Sequence, residues 1–382
     1  MRILFVSLRG PTNADRRGGA QDYIRFVARY AARLGHDVRI VCGQEIVDGE
    51  LLPFREYVDG IAIARYGTPR RRFRPLIQAA RDMAPRCDVV VENLMGFPLF
   101  LPALLDERRA LIAIKHHFEG RTFFRTQGLV KGLAGMFLES VLQPLTYRNT
   151  RWIAVSTRTR EGLERAWIAP TRRPAIVPPG IEFSDERPVA KRSEVPMILY
   201  CGALDLGRKR VDQLLEAYRG VRERLPEARL VIAGSGPDAA ALRSQAAGLD
   251  VDFRGFVSDA EKLALLDEAW VFCSPSESEG FGITWVEANA RGVPVVACEL
   301  GLDTVTPACS VMVEVGDVAA LTSALTLILS DAARRQAMSQ AARDNARRFS
   351  WTSSAQKFLD VLERELAARP EYAERSGAVS SR

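Results

Sequence analysis

Residues 274–297, SPSESEGFGITWVEANARGVPVVA, decide the fold of this 382-residue chain. They begin at the end of a short apolar strand and pass through a turn that holds Gly280 and Gly282. A predicted helix over 281–291 follows the turn, and Gly292 separates this helix from a second apolar strand. A strand, a glycine turn, a helix and a further strand in this order indicate a parallel sheet whose strands are connected by helices.

The same alternation extends outward from this segment over nearly the whole chain. The predicted strands are 3–7, 38–42, 61–65, 89–92, 111–115, 152–155, 175–177, 197–201, 229–233, 251–254, 270–273 and 293–297. The predicted helices are 21–34, 76–84, 97–106, 129–147, 159–166, 211–225, 239–247, 260–268 and 281–291. Near-continuous apolar strands indicate parallel strands buried on both faces. We therefore predict an α/β protein with two Rossmann-like, doubly wound domains that face a central cleft, where ligands bind at the carboxyl ends of the strands.

A break in regular structure divides this pattern into two halves of similar size. Two prolines and a glycine at 178–180 stop the alternation, and a polar stretch follows them. We predict a first domain over 1–180, a linker over 181–195 and a second domain over 196–350. A C-terminal helix over 351–368 is expected to pack back on the first domain, and the small, polar residues of 369–382 are predicted to be disordered.

Composition excludes several classes of protein. The sequence has no run of about 18 apolar residues, so no membrane-spanning helix is predicted, and residues 1–7 are predicted as a first strand rather than as part of a signal peptide. The six cysteines show no Cys-x-x-Cys spacing, and a reduced, cytoplasmic location is expected. Because a dinucleotide fingerprint, a P-loop and an aromatic-basic stripe are all missing, neither a nicotinamide cofactor nor a nucleic-acid partner is expected.

Charge is distributed unequally along the chain. Residues 1–180 carry 29 Lys and Arg against 17 Asp and Glu, a net charge of +12, so the remainder carries −6 because the whole chain carries +6. The densest cluster is the basic run 70–74, RRRFR. Three interpretations stay open: a solvated basic loop, attraction to an anionic acceptor, or peripheral association with the inner face of a membrane. The segment 129–147 mixes apolar and basic residues, and its role also stays open: it is part of the core, a lid over an acceptor or a helix at a membrane surface.

Two carboxylates in the 274–297 segment suggest a ligand site. Glu279 lies at the turn and Glu287 about two helical turns later, so they share one face of the helix at roughly 10 Å or more. This separation is too large for the carboxylate pair of a retaining glycosidase, and it suits holding two ends of one extended ligand. The glycines let backbone approach the ligand closely, and the N–H groups at the start of the helix favour an anionic or hydroxyl-rich one.

These residues resemble the Glu-x7-Glu signature of the family-four retaining glycosyltransferases, which have a two-domain GT-B fold. The match consists of Ser-x-x-Glu-Gly-Phe-Gly at 276–282, the pair Glu287-Ala288 and Gly-x-Pro-Val-Val-Ala at 292–297. The similarity extends over residues 1–365. It implies a hexosyltransferase whose first domain binds an acceptor and whose second domain binds a nucleotide-sugar donor.

The resemblance assigns donor contacts to residues of the second domain. Glu279 and the backbone of Phe281 and Gly282 are expected to contact sugar hydroxyls. Backbone near Ile283 and Thr284 is expected to contact phosphate or ribose, and Glu287 to hold the ribose hydroxyls. The loop at Gly255 and Phe256 is expected to receive the nucleobase.

The loop over 202–210, GALDLGRKR, departs from the family pattern. The resemblance implies an Arg and a Lys that balance the diphosphate charge, and Lys209 fits the Lys. Ala203 stands at the usual Arg position. Either Arg208 supplies the missing charge, since a guanidinium suits phosphate well, or Lys209 alone contacts phosphate and the donor binds more weakly.

Two features of the first domain also match the family. Gly18 and Gly19 resemble its Gly-Gly loop, whose backbone approaches the diphosphate at a helix N-terminus. His116 and His117 follow the predicted strand 111–115, where the family has a histidine close to the donor sugar. Either histidine aligns with it, so the choice between them stays open.

The mechanism implied by the resemblance is a front-face displacement that needs no metal ion and no cofactor. Lys209, Arg208 and helix N-termini would stabilise the leaving diphosphate, and Glu279 and one histidine would orient the sugar. Two alternatives remain: a GT-B enzyme of the nucleotide-sugar 2-epimerase type, and a non-catalytic subunit that binds sugar nucleotides. The sequence leaves the sugar, the base, the acceptor (a glycan, a lipid-linked or a small molecule) and the oligomeric state open.

Overall fold

A computed structural model describes residues 1–11, 18–47, 49–120, 122–181 and 191–369 of the chain, the side chains of 122, 123 and 125–127 excepted. Contacts between residues divide the chain into two units. Unit 1 comprises Met1–Gly180 together with Trp351–Arg382, and unit 2 is Ile181–Ser350. Most of the predicted linker and nearly all of the predicted tail, residues 182–190 and 370–382, lie outside the described residues.

Unit 1 is built from ten strands and six α-helices among its described residues. The strands are β1 Arg2–Ser7, β2 Asp37–Gly43, β3 Ile46–Val47, β4 Glu50–Leu51, β5 Arg55–Val58, β6 Ile61–Tyr66, β7 Val89–Leu94, β8 Ala110–Lys115, β9 Arg151–Ala154 and β10 Ala175–Ile176. The helices are α1 Gly19–Arg33, α2 Phe73–Met83, α3 Thr122–Phe137, α4 Gln143–Thr146, α5 Thr157–Glu164 and α12 Trp351–Ala367.

The main sheet of unit 1 has the strand order β10-β9-β8-β7-β1-β2-β6-β5. Its strands are parallel except β5, which pairs antiparallel with β6 at the edge. The chain turns from one side of β1 to the other, so the switch point of the doubly wound sheet lies between β1 and β7. Side chains and loops at the carboxyl ends of β1, β7 and β8 therefore meet at one edge.

The returning helix α12 completes the apolar core of unit 1. The Phe358 ring stacks on Phe5 of β1 with centroids 5.8 Å apart, and the Trp351 ring stacks on Phe26 of α1 at 4.3 Å. Phe358 also meets the edge of Tyr23, whose hydroxyl donates to the Val177 carbonyl. Aromatic pairs of this kind combine large buried area with a preferred geometry, so α12 is part of the core rather than an appendage.

Unit 2 is a second layered α/β domain. Its strands are β11 Met197–Cys201, β12 Arg229–Ala233, β13 Val251–Gly255, β14 Val271–Ser274, β15 Val295–Cys298 and β16 Ser310–Val313. Its helices are α6 Val211–Arg224, α7 Ala239–Gln245, α8 Asp259–Glu268, α9 Ile283–Ala290, α10 Val318–Ser330 and α11 Ala332–Ala346.

The six parallel strands of unit 2 follow the order β13-β12-β11-β14-β15-β16. Counted within the unit this is 3-2-1-4-5-6, the doubly wound arrangement in which ligands bind between the first and fourth strands. The four inner strands β12, β11, β14 and β15 are largely buried, which explains their nearly continuous Val, Ile, Leu and Phe content. The predicted fold class, two Rossmann-like doubly wound α/β domains, is confirmed.

Three local predictions were wrong in unit 1. The predicted helix over 97–106 is reduced to one 3-10 turn at Leu101–Ala103, because Phe100 adopts a left-handed conformation (φ 57°) and Pro98 and Pro102 lack the N–H groups a helix needs. The short strands β3, β4 and β5 were missed. The segment predicted as one helix over 129–147 starts at Thr122, bends at Gly128, and continues through a π-helical turn at Leu138–Leu142 into α4.

Among the described residues, no helix combines the length and the apolar character that crossing a bilayer requires.

Candidate functional site

The switch point of unit 2 brings two loops together, one after β11 and one after β14. The N–H of Glu277 donates to the Arg208 carbonyl (2.9 Å), and the Arg210 guanidinium forms an ion pair with the Glu277 carboxylate. One backbone and one side-chain contact therefore fix the loop that carries Lys209 against the loop that carries Glu279. The sequence placed both residues in loops, and the topology explains why these loops are neighbours.

Lys209 and Glu279 form a direct ion pair at this point. Burial raises the pKa of Glu279, but the positive charges of Lys209 and Arg208 together with hydrogen bonds from Lys209 and Ser276 lower it by more, and the pKa ends below its ordinary value. Ser276 adds a hydrogen bond to the same carboxylate. Glu279 is therefore ionised at neutral pH and is oriented from two sides.

Arg208 is the residue that places a second positive charge beside Glu279. Its charge acts on the Glu279 carboxylate, whereas Ala203 is exposed and only its carbonyl is engaged, by the Tyr200 hydroxyl at 2.7 Å. Arg208 therefore contributes positive charge in this part of unit 2, and Ala203 contributes none.

The turn before α9 depends on glycine at position 282. Gly282 is the N-cap residue with φ 79° and ψ 48°, a left-handed conformation, and a Cβ there would lie 2.9 Å from the Trp285 ring. Phe281 is buried against the Phe349 ring at 5.4 Å. Gly282 has no side chain to cap the helix, so the first backbone N–H groups, those of Ile283 and Thr284, are offered to a ligand.

Glu287 lies on α9 and forms an ion pair with Lys262 of α8, Nζ to Oε1 2.8 Å. Burial lowers the pKa of Lys262, but the charge and hydrogen bond of Glu287 together with the charge of Asp259 raise it by more, so the ammonium stays charged. The start of α8 is fixed by a capping box in which Ser258 and Glu261 bond each other's backbone N–H. Lys262 was not identified from the sequence, because its partner lies 25 residues away on another helix.

Gly255 and Phe256 lie at the end of β13, before the helix α8 that carries Lys262. Gly255 ends β13 in a left-handed conformation (φ 70°), and the side chain of Phe256 that follows it is about half exposed. An aromatic ring in this position is available to stack on a planar ligand.

In unit 1, the start of α1 is held by a side chain that the sequence analysis did not single out. Gln21 accepts from the N–H of Gly18 (2.9 Å) through Oε1 and donates to the Gly10 carbonyl (3.0 Å) through Nε2. Gly18 is the N-cap of α1 and Gly19 its first residue, and the loop residues 12–17 lie outside the described residues. Buried Gln21 therefore ties the end of the β1 segment to the helix N-terminus, and its position directly after Gly18-Gly19-Ala20 was the available signal.

His116 lies at the end of β8 in a buried network of neutral groups. Its Nε2 is 2.6 Å from Asn93 Oδ1, while the Asn93 amide donates to Ser7 Oγ (3.1 Å) and to the Ala20 carbonyl (3.4 Å). Because the Asn93 amide nitrogen is donating, its oxygen is the acceptor, and Nε2 of His116 carries the proton. The network joins the ends of β1, β7 and β8 to α1.

Burial lowers the pKa of His116 to about 3, with smaller contributions from the charges of His117 and Lys115. His116 is therefore neutral at physiological pH. His117 differs: its side chain is 27% exposed, and its Nε2 pairs with Glu119 at 2.6 Å. The structure thus separates two histidines that the sequence analysis could not distinguish.

Glu139, on the π-helical turn, holds the loop that carries both histidines. It accepts from Lys115 Nζ (2.9 Å) and from the backbone N–H groups of Glu119 (3.2 Å) and Gly120 (2.8 Å). Lys115 also donates to Gln143 (3.0 Å) and lies over the Phe118 ring. The loop over 116–120 is therefore rigidly attached to the helix that precedes α4.

Two protein-family models match this chain. Residues 17–185 match Glycosyltransferase Family 4, and residues 182–345 match Glycosyl transferases group 1. Together the two models cover most of the chain, and their boundary coincides with the division between the two units.

Curated relatives match over part or all of the chain. Phosphatidyl-myo-inositol mannosyltransferase of Mycobacterium tuberculosis is 31% identical over 95% of this chain and 97% of its own length. The protein of the same name from Mycobacterium leprae is 39% identical, but over only 44% of this chain and 46% of its own length. The chain therefore spans less than half the length of the Mycobacterium leprae relative.

Among solved structures, HepE of Anabaena in complex with UDP and glucose superposes with a TM-score of 0.73 at 16% identity, covering 95% of this chain and 99% of that one. Such a likeness at low identity concerns the fold.

Proposed function

This chain belongs to the family-4 glycosyltransferases and is a glycosyltransferase, and from this premise we propose that it transfers a hexosyl group from a nucleoside-diphosphate sugar to an acceptor hydroxyl with retention of configuration. The observation that carries the proposal is the Lys209–Glu279 ion pair at the switch point of unit 2, beside the N-terminus of α9. A cation and a hydroxyl-binding carboxylate side by side suit the junction of a diphosphate and a sugar.

Different side chains and backbone groups of unit 2 bind different parts of the donor, according to their charge. Lys209, Arg208 and the first N–H groups of α9 bind the diphosphate, because they supply positive charge and oriented donors. Glu279 accepts from sugar hydroxyls. Glu287 accepts from the ribose hydroxyls, and Phe256 lies beside the base.

The reaction is a front-face displacement. The acceptor oxygen bonds to the anomeric carbon while the bond from this carbon to the β-phosphate oxygen breaks, and the departing diphosphate takes the acceptor proton. Lys209 and Arg208 stabilise the charge that develops on the diphosphate. We propose that these groups perform the charge stabilisation without a metal ion.

Of the two histidines, we propose that His116 has the role that the family resemblance gives to one of them. Its neutral ring is fixed by Asn93, so it orients a ligand through hydrogen bonds rather than through charge. His117 is half-buried and paired with Glu119, which favours a role in the loop.

The names of the relatives favour a mannosyl group and a lipid-linked acceptor. The nucleotide in the HepE complex favours a nucleoside-diphosphate donor. For this chain, the mannosyl group, the lipid-linked acceptor and the nucleoside-diphosphate donor are proposals.

A donor panel tests the proposal. The purified protein is incubated with GDP-, UDP-, ADP- and dTDP-sugars in the presence of EDTA, and thermal shift and release of nucleoside diphosphate are measured. We expect one donor to stabilise the protein and to be hydrolysed slowly, and Glu279→Gln and Lys209→Ala to lose both effects.

Glu223→Gln and Lys357→Ala, at exposed positions on α6 and α12, serve as matched controls that keep both effects. If no donor shifts the melting temperature, the donor-site assignment fails. If EDTA abolishes turnover, the metal-free step fails.

A further inference from the structure

Helix α3 exposes its large apolar side chains. Leu129 and Val130 are 70% and 81% exposed, and Leu133 and Phe137 are each 57% exposed. Positions 129, 133 and 137 are separated by four residues and line one side of the helix, with Val130 beside them. A surface helix in water normally presents the opposite arrangement, with polar residues outward.

The inward side of α3 is made of glycine. Gly132 and Gly135 are buried, and a Cβ at Gly132 would lie 2.6 Å from the Phe124 ring. Glycine at position 132 lets the part of α3 after the Gly128 bend pack closely against Phe124 before the bend, and rotation of the later part to bury its leucines would break that packing. The outward apolar side is therefore built into the fold.

The exposed apolar surface continues to the basic run 70–74, at the start of α2. Phe97 lines a small pocket with Gly135 and Leu138 of the α3 segment, and its ring meets the edge of Phe73 at 6.1 Å. Both phenylalanines are exposed. We call Phe73, Phe97, Leu129, Val130, Leu133 and Phe137 the apolar face.

Positive charge borders the apolar face. Arg70, Arg71 and Arg74 are exposed on either side of Phe73, and Lys131 is exposed on α3. The sequence has no Asp or Glu in 67–81 or in 120–138, and Glu139 is engaged by Lys115 and two backbone N–H groups. These two segments therefore place positive charge beside the apolar face and contribute no acidic side chain of their own.

We propose that the apolar face docks on an anionic lipid surface, with its apolar side chains among the acyl chains and the arginines at the lipid phosphates. A second copy of the chain fits poorly, because a two-fold contact would place the same arginines against each other. The inference deepens the proposed function by placing the acceptor at a membrane, but the docking itself needs neither donor nor catalysis.

The test is vesicle flotation of the full chain, without nucleotide, on phosphatidylcholine alone and on phosphatidylcholine with phosphatidylglycerol. We expect binding to the mixed vesicles and at least tenfold weaker binding to the neutral ones. The double variant Leu133→Glu/Phe137→Glu and the triple variant Arg70→Glu/Arg71→Glu/Arg74→Glu should each lose binding at least tenfold.

Leu327→Glu on α10 and Arg224→Glu on α6, both exposed in unit 2, are the matched controls and should bind like the wild type. Circular dichroism and donor-induced thermal shift verify that each variant is folded, and the donor panel reports on the proposed function separately. Absence of wild-type binding, or undiminished binding of the apolar-face variants, overturns the proposal. A dimer in solution that Leu133→Glu/Phe137→Glu dissolves, with no vesicle binding, assigns the face to a second copy instead.

Discussion

The candidate sites of the two units use opposite electrostatics. In unit 2 two carboxylates are each paired with a lysine, Glu279 with Lys209 and Glu287 with Lys262. In unit 1 the corresponding edge of the sheet holds a neutral histidine that an asparagine orients. The same doubly wound topology therefore supports a charged site in one unit and a neutral, hydrogen-bonded site in the other.

Under the proposed function, the two sites bind different parts of the substrates. A diphosphate brings negative charge. Each lysine of unit 2 is already paired with a carboxylate, so it can accept the charge of the diphosphate once this ion pair has rearranged. A sugar hydroxyl carries no charge, and a buried neutral imidazole with a fixed tautomer binds it without a competing ion. Four changes test this comparison, from the largest expected effect to the smallest.

Lys209→Met should have the largest effect, because it removes positive charge from the leaving diphosphate and leaves the Glu279 carboxylate partly uncompensated. We expect kcat to fall by about 10²–10³-fold. The double variant Lys209→Met/Glu279→Gln should lose little more than the worse single variant, since the two residues act as a unit. Fully additive losses in steady-state kinetics would show that the ion pair is not a functional unit.

His116→Ala should reduce kcat/KM by about 10²-fold, the scale of one oriented polar group, and His117→Ala by much less. Because the pKa of His116 is about 3, the His116 side chain is still neutral at pH 5. Protonation of His116 should therefore not lower wild-type activity between pH 8 and pH 5. An activity loss near pH 6.5 that His116→Ala abolishes would contradict the neutral-site interpretation.

Lys262→Met should act on donor binding rather than on chemistry. Without its partner, Glu287 is no longer held in position on α9, and we expect the donor KM to rise by about tenfold, roughly 1.4 kcal/mol, with kcat little changed. Preference for ribose over 2′-deoxyribose donors should fall as well. Lys191→Met, at an exposed position, is the control; equal selectivity in both variants would remove Lys262 from the donor site.

Glu92→Gln should have the smallest effect on activity and should change the pH dependence of stability. Burial raises the pKa of Glu92 to about 7, although Tyr147 and the Leu99 N–H donate to its carboxylate. The folded state therefore holds a proton that the unfolded state releases near pH 4.5, so stability is lost as pH rises through this interval. Over it the wild type should lose about 3 kcal/mol from this group.

The measurement for Glu92→Gln is urea unfolding of both proteins at pH values from 5 to 8. The variant should show a flatter dependence of the free energy of unfolding on pH. The same slope in both proteins would mean that Glu92 does not titrate in this interval.

The fold was predictable because both units repeat one local pattern that depends on short-range periodicity. Apolar runs such as residues 229–233 and 197–201 became strands with the predicted bounds. The helix predicted over 97–106 failed because its apolar spacing resembled a helix, while two prolines and a left-handed Phe100 prevented one. Backbone restrictions outweighed periodicity at that point.

The candidate site was predictable only in its loops. Glu279 and Lys209 stand in segments that directly follow strands, so sequence order already placed them at strand ends. Lys262 could not be found in this way, because its partner comes from another helix and the contact depends on packing. Asn93 directly follows the predicted strand 89–92, but its pairing with His116 also depends on packing. The choice between His116 and His117 required knowledge of burial, which adjacent identical residues do not reveal.

The discontinuity of unit 1 also constrains how the chain is made. Ribosomal synthesis runs from the N-terminus, and Trp351 follows Gly180 by 171 residues, that is 351 minus 180. At roughly 5–20 residues per second this interval lasts roughly 10–30 s. Throughout it, Phe5 and Phe26 lack the rings of α12 that later cover them. By its end, unit 2 has received all of its residues. The first unit to begin emerging from the ribosome is therefore the last to be completed.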